Sequence, residues 1–160
     1  MTPPAVRLPG RPGGRPPAPA APPSVRAGLA VLLAAALAAV AAVTLTPEGR
    51  GWAWASPAAE LRWYATGLDS AATVLQLVGN AGLLVVPAAL AVALWPALGR
   101  PVRLVAGSLA AGAGIELLQL TASLGRVVSP LDALLNAGGA IAAGLLVSWA
   151  ARPARGVPRT

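Results

Sequence analysis

The chain has no cysteine, no histidine, no lysine and no phenylalanine, and only 11% of its 160 residues are charged. Without Cys and His it offers no thiol nucleophile, disulfide, Cys/His metal site or Ser-His-Asp triad. In contrast, 56% of the residues are hydrophobic and the mean hydropathy is +0.69, values that are not typical of a soluble domain. The composition therefore predicts an all-α integral membrane protein and argues against a soluble enzyme. We expect no metal and no cofactor.

The positive charge is spread along the chain and does not form a nucleic-acid patch. Twelve arginines against five acids give a net charge of +7, but the arginines lie at the ends of apolar segments. We therefore expect no nucleic-acid partner. The first 26 residues contain nine prolines and four arginines without apolar periodicity, which predicts a disordered tail over 1–26.

Four apolar segments follow this tail and predict a four-helix bundle that spans the membrane. Each is long enough to cross a hydrocarbon core of about 30 Å at a rise of about 1.5 Å per residue. The segments cover about 27–45, 74–95, 104–125 and 131–151, and residues 152–160 form a second tail.

The arginines also predict the orientation of these spans. With four spans, nine arginines fall on one side and three on the other, namely Arg50, Arg62 and Arg126. The positive-inside rule then places both termini in the cytoplasm of a multi-pass plasma-membrane protein. The alternative is a cleaved signal peptide, because Ala53-Trp54-Ala55 resembles a cleavage site; residues 1–55 would then be removed.

The external loop 46–70 is rich in aromatic residues and predicts a short interfacial helix. Four of the six aromatics of the chain lie there: Trp52, Trp54, Trp63 and Tyr64. Ser56-Pro57 is typical of a helix start. The apolar face of this helix would contain Leu61, Tyr64, Ala65 and Leu68. Its remaining surface would contain Glu60, Arg62, Thr66 and Asp69. This helix would anchor the bundle; alternatively, it covers a cavity or contacts a lipid-bearing ligand.

Polar residues inside the last two spans are the candidate functional residues. Glu116 is about nine residues from the outer end of its span, where an acid costs about 2.5–3.5 kcal/mol, so it should be partnered or protonated. Gln119 shares its helical face, and the small residues Gly112 and Ala113 lie one turn back. On the next helix, Asp132, Asn136 and Gly139 share one face.

A short loop joins these two helices, so they must be neighbours and their polar faces can meet. We therefore predict an outward-opening pocket formed by Glu116, Gln119, Arg126, Asp132 and Asn136, with Asn80 from the second span. Arg126 should pair with Glu116 or Asp132.

Most of the pocket residues also have a structural explanation, which for Glu116 is a structural ion pair. Asp132 could act within a capping box that begins at Ser129. Asn80 and Asn136 could link helices by hydrogen bonds, and Arg126 could be a solvated loop charge.

The stretch GIELLQLTASLGRVVSPLDALLNAGGAIAAG resembles the signature of VanZ-like membrane proteins. That pattern has an intramembrane Glu, two apolar residues and Gln, then Gly-Arg, then Asp, Asn and Gly. The matching positions are Glu116, Gln119, Gly125, Arg126, Asp132, Asn136 and Gly139, with Asn80 and Pro87 resembling a further segment. The chain departs from the pattern at Val86, where the family usually has Phe, and at Ser129, where a second acid is common.

The resemblance implies a protein of the bacterial cell envelope. The founding member of the family is associated with low-level resistance to teicoplanin, a lipid-bearing glycopeptide, and most relatives have no assigned activity. A modulator of the antibiotic response would bind an amphiphilic partner without making or breaking covalent bonds. Such a partner could be a membrane lipid, a lipid-linked wall precursor or a lipoglycopeptide.

Two other functional classes stay open. One is an intramembrane enzyme that uses Glu116 and Asp132 as an acid/base pair on a lipid-linked substrate. The other is a small proton-coupled transporter subunit in which Glu116 binds the proton. The oligomeric state is left open.

Overall fold

The computed structural model describes residues 22–152, most of which are helical. The predicted tails, 1–26 and 152–160, therefore lie largely outside the described residues. The helices are α1 (Pro23–Leu45), α2 (Pro57–Thr66), α3 (Ala71–Leu83), α4 (Val85–Leu94), α5 (Pro101–Ala122) and α6 (Pro130–Ala150), and a 3₁₀ turn covers Pro96–Gly99. Two short strands are β1 (Gly51–Trp54) and β2 (Leu124–Val128).

Within residues 22–152, four helical segments are long and apolar enough to cross a membrane: α1, α3 continued by α4, α5 and α6. The predicted helical class is confirmed, and the four predicted segments correspond to long apolar helices. The first helix begins at Pro23, before the predicted start at 27, because proline suits the first helical position, where its missing N–H needs no partner.

The second span is broken at Leu84, between α3 and α4. Pro87 explains the break, because it has no N–H to donate to the carbonyl of Leu83 four residues earlier. Regular bonding resumes with the Ala88 N–H, which donates to the Leu84 carbonyl at 3.0 Å.

Helix α6 is the central element, because α3, α4 and α5 all pack against it, whereas α1 packs mainly on α4. Glycines allow two of these close approaches. A Cβ at Gly112 would lie 2.4 Å from the Ala133 carbonyl oxygen, and one at Gly139 would lie 1.7 Å from that of Ala81. The polar faces of α5 and α6 are therefore brought against neighbouring backbone. Ala113, expected on the Gly112 side, is exposed.

The two strands pair in parallel, a feature that the all-α prediction missed. Gly51 is opposite Leu124 and Trp54 is opposite Val128. The pairing arises because α1 and α5 end side by side, so the chain leaves both helices in the same direction. The Glu48 N–H donates to the Leu124 carbonyl at 2.8 Å and extends the contact toward α1.

Candidate functional site

A polar cavity of about 370 Å³ lies between the end of α1, α3, α5, α6 and β2. All six residues that the sequence singles out line it: Asn80, Glu116, Gln119, Arg126, Asp132 and Asn136. Four of them are nearly inaccessible, since Glu116 is 8%, Gln119 7%, Asp132 9% and Asn136 1% exposed. The structure thus brings the candidate residues together in one place.

Glu116 reaches the cavity from the buried face of α5, which also carries Gly112 and Gln119. Its Oε2 accepts a hydrogen bond from the Ser129 backbone N–H at 2.8 Å. Among residues 22–152, no arginine lies within ion-pair distance of this carboxylate. Glu116 is therefore stabilised by a neutral donor at the start of α6.

Asp132 has two separate roles in the structure. Its backbone N–H donates to the Ser129 Oγ at 3.0 Å, so Ser129 caps α6 as the sequence suggests. Its carboxylate does not complete the capping box. Instead, it accepts from the Tyr64 hydroxyl at 2.9 Å and lies 3.4 Å from the Gln76 Nε2. Capping therefore does not account for the buried carboxylate.

Arg126 does not pair with Glu116 or Asp132, so that expectation is wrong. Its Nη2 lies 2.8 Å from the Glu48 Oε1. The same nitrogen donates to the Val43 carbonyl at 3.0 Å, and Nε donates to the Thr46 carbonyl at 3.3 Å. The physical reason is that the strand pairing places β2 beside the end of α1, where helix carbonyls have no intrahelical partner and attract a cation.

Besides Gln76, three amide side chains line the cavity, and they differ in their partners. The Gln119 Nε2 donates to the Thr44 carbonyl at 3.1 Å and so ties α5 to α1. In contrast, the Asn136 Oδ1 and the Asn80 Nδ2 are buried and have no hydrogen-bond partner within residues 22–152. Interhelical bonding therefore explains Gln119, but it does not explain these two atoms.

Helix α2 contributes two residues that the sequence analysis did not place at the site. Tyr64 is 5% exposed and bonds to Asp132, and the Glu60 Oε2 accepts from the Ser129 Oγ. Leu61 and Leu68, predicted to share an apolar face with Tyr64, are 61% and 57% exposed. The inward side of α2 is therefore the Glu60–Tyr64 side. A signal for Tyr64 was present, because it is the single tyrosine of the chain and its hydroxyl needs a partner when buried.

Burial raises the pKa of the Tyr64 hydroxyl above its usual value. The Asp132 carboxylate raises this pKa further, since it accepts the phenolic proton and would repel a phenolate. Burial also raises the pKa of Glu60, and the charge of Asp132 adds to this effect, while the hydrogen bond from Ser129 opposes it. Tyr64 is therefore a hydrogen-bond donor at neutral pH.

An apolar groove of about 490 Å³ lies beside the polar cavity, between α5, the start of α6 and the strand pair. Glu116 lines both spaces. The remaining groove residues are almost all apolar: Trp54, Leu109, Ala113, Leu117, Leu120, Val128, Pro130, Ala133 and Leu134. A polar site and an apolar site thus meet at one carboxylate.

Within the described part of the chain, no group of three or more acidic residues is arranged to hold a metal ion. No family model, no curated protein and no solved structure matches the chain.

Proposed function

We propose that the protein spans the membrane four times as a helical bundle and recognises the polar part of an amphiphilic molecule in its cavity. The observation that carries this proposal is the Asn136 Oδ1, a fully buried acceptor without a donor, in a cavity that also holds two carboxylates. Buried polar atoms nearly always have partners. An unpaired acceptor in a cavity wall is therefore best explained by a bound group that donates a hydrogen bond to it.

The exposed surfaces of the long helices support membrane insertion. Leu32, Leu117 and Leu146 are 57%, 59% and 64% exposed, and such apolar side chains suit contact with lipid tails. The packing of α3, α4 and α5 around α6 supports the bundle. The excess of arginines near one set of helix ends supports cytoplasmic termini.

The meeting of cavity and groove at Glu116 supports an amphiphilic ligand. A polar head would occupy the cavity, and an alkyl chain would lie in the groove beside Trp54 and Leu117. Membrane lipids, lipid-linked wall precursors and lipoglycopeptides all have this division. Under this proposal, the resemblance to VanZ-like proteins gives the protein a role in the bacterial cell envelope and in the response to lipoglycopeptides.

An intramembrane acid/base enzyme is the second candidate, because Glu116 and Asp132 line one cavity. Recognition is the better-supported proposal. Each carboxylate already accepts a hydrogen bond from a fixed protein donor, Ser129 N–H or Tyr64 hydroxyl. In these hydrogen bonds each carboxylate is an acceptor, and an acceptor suits the binding of a ligand group that donates.

A complementation experiment tests the proposal. A strain that lacks the gene is grown against a panel of cell-wall and membrane antibiotics, and it carries the wild type, Glu116→Gln, Asn136→Ala or the lipid-facing control Leu32→Ala. We expect the two cavity variants to lose complementation at near-normal protein abundance, while the control retains it. A phenotype that follows protein abundance across all variants would reduce the cavity residues to a structural role.

A further inference from the structure

The cavity is lined by two buried carboxyl groups that form no ion pair with any described basic side chain. Glu116 and Asp132 line it, and the donors that they receive from Ser129, Tyr64 and Gln76 are all uncharged. Arg126 also lines the cavity, but it is engaged by a carboxylate outside this pair and by carbonyls of the α1 end. Two acids in a low-dielectric site favour a cation.

The unpaired Asn136 oxygen is a second and independent indication of the ligand. Asn136 is 1% exposed and its Oδ1 requires a donor. It lies one turn beyond Asp132 on α6 and faces the same cavity as Glu116 on α5. The site therefore has three acceptor side chains, and a primary ammonium group has three N–H donors and no acceptor.

Other cations fit this set of acceptors less well. A quaternary ammonium has no N–H and would leave the Asn136 oxygen unpaired. Within residues 22–152, no three acidic side chains are grouped so that they could hold a metal ion.

Asn80 indicates what lies next to the ammonium group. Its Nδ2 is a buried donor on α3 that lies near the Tyr64 hydroxyl but makes no hydrogen bond of normal geometry with any described residue, and Asn80 lines the same cavity. An oxygen a few bonds from the ammonium nitrogen would satisfy it. Amino-alcohol phosphates and free amino alcohols both have this combination of donor and acceptor.

We infer that the cavity binds the primary ammonium end of an amino-alcohol head group through Glu116, Asp132 and Asn136, with Asn80 donating to an adjacent oxygen of the ligand. This inference rests on the proposed recognition of an amphiphile and adds the chemical class of its head group.

The test uses the full-length protein in uncharged maltoside micelles and follows thermal unfolding by circular dichroism. Short-chain phosphatidylethanolamine, phosphatidylcholine or phosphatidylglycerol is added in separate titrations, and free ethanolamine in a fourth. A ligand that binds the folded state raises the unfolding midpoint in proportion to its occupancy. We expect the ethanolamine lipid to raise the midpoint most.

Variants tie this effect to the cavity. Glu116→Gln preserves side-chain size and should weaken the apparent affinity for the ethanolamine lipid by about tenfold or more, as expected for loss of a charge-assisted hydrogen bond. Asn136→Ala should do the same, and the lipid-facing Leu32→Ala should respond like the wild type. If Asn136→Ala does not fold, Glu116→Gln still provides the comparison.

The outcomes separate this inference from the proposed function. Equal protection by the ethanolamine and choline lipids would overturn recognition of N–H groups. Protection by phosphatidylglycerol that requires Asn136 would overturn the cationic ligand while supporting an amphiphile site. If no lipid protects in a way that depends on these residues, both proposals fail. Equal protection by free ethanolamine would support the ammonium chemistry and identify a soluble amine as its source.

Discussion

Two adjacent glycines on α6 provide a matched test of the packing that forms the cavity. A Cβ at Gly138 would have no heavy atom within 4 Å, whereas a Cβ at Gly139 would lie 1.7 Å from the Ala81 carbonyl oxygen. Gly139→Ala must therefore push α3 away from α6. Since Asn80 and Asn136 lie on these two helices, the same displacement would widen the cavity.

The structure also gives the size of the difference. In a helix interior, Gly→Ala stabilises by about 0.5–1 kcal/mol through backbone entropy, and Gly138→Ala should show this gain. Overpacking usually costs about 1–3 kcal/mol, and at Gly139 the obstacle is backbone and cannot rotate away. Both variants gain this backbone entropy, so they should differ in unfolding free energy by the overpacking cost of roughly 1–3 kcal/mol, with Gly139→Ala the less stable.

The assay is unfolding in mixed micelles of maltoside and increasing sodium dodecyl sulfate, followed by circular dichroism under identical conditions for both variants. Residual helicity in the denatured state would be common to both proteins, so it cancels in the comparison. Equal stability of the two variants, or a more stable Gly139→Ala, would refute the close contact of α3 with α6.

Three further predictions concern the Tyr64 hydrogen bond, the Arg126 ion pair and the proposed orientation of the helices. Tyr64→Phe should lower stability by about 1.5–3 kcal/mol, the typical value of a hydrogen bond to a charged group, as measured by the same unfolding assay. A double-mutant cycle of Arg126→Ala and Glu48→Ala should give a coupling of about 0.2–1 kcal/mol, because an ion pair with side chains 22% and 60% exposed is screened by solvent. A cysteine at Ser56 should react with an impermeant thiol reagent on intact cells, whereas one at Ser24 should not.

Each of these predictions has a control. Leu61→Ala changes an exposed residue of α2 and should leave stability nearly unchanged, so an equal loss in both α2 variants would contradict the buried hydrogen bond. Rescue of Arg126→Ala by Glu116→Gln would contradict the pairing of Arg126 with Glu48. Labelling at Ser24 would reverse the orientation. Ser129 does not suit labelling, because it is 1% exposed.

The sequence predicted those features that depend on local pattern. The length of each apolar run was enough to locate the helices, because a span needs a minimum length. The helical period placed Glu116 with Gln119 and Asp132 with Asn136, and the short loop before Pro130 made their helices neighbours. Four of the six candidate residues in the cavity therefore follow from spacing along two adjacent helices.

The remaining features depend on contacts between segments that are distant in the chain. The partner of Arg126 is set by the pairing of β1 with β2, about 70 residues apart, and strands of four and five residues give little periodic signal. The orientation of α2 depends on hydrogen bonds to the start of α6. The residue pattern within 57–66 does not predict these bonds. These long-range contacts override the apolar face that the sequence of α2 favours.

Ser129 makes the position of α2 and the state of the cavity thermodynamically interdependent. Its backbone N–H donates a hydrogen bond to Glu116 and its hydroxyl donates one to Glu60. The same hydroxyl accepts a hydrogen bond from the Asp132 N–H. A ligand that draws Glu116 or Asp132 toward itself must change the free energy of the bonds that retain α2. By thermodynamic linkage, an effector that detaches α2 must also change the affinity of the cavity for its ligand. This change equals the change that the ligand causes in the affinity for the effector. Under the proposed membrane insertion, a membrane surface would contact the exposed side of α2 and would act as an effector of the site without entering it.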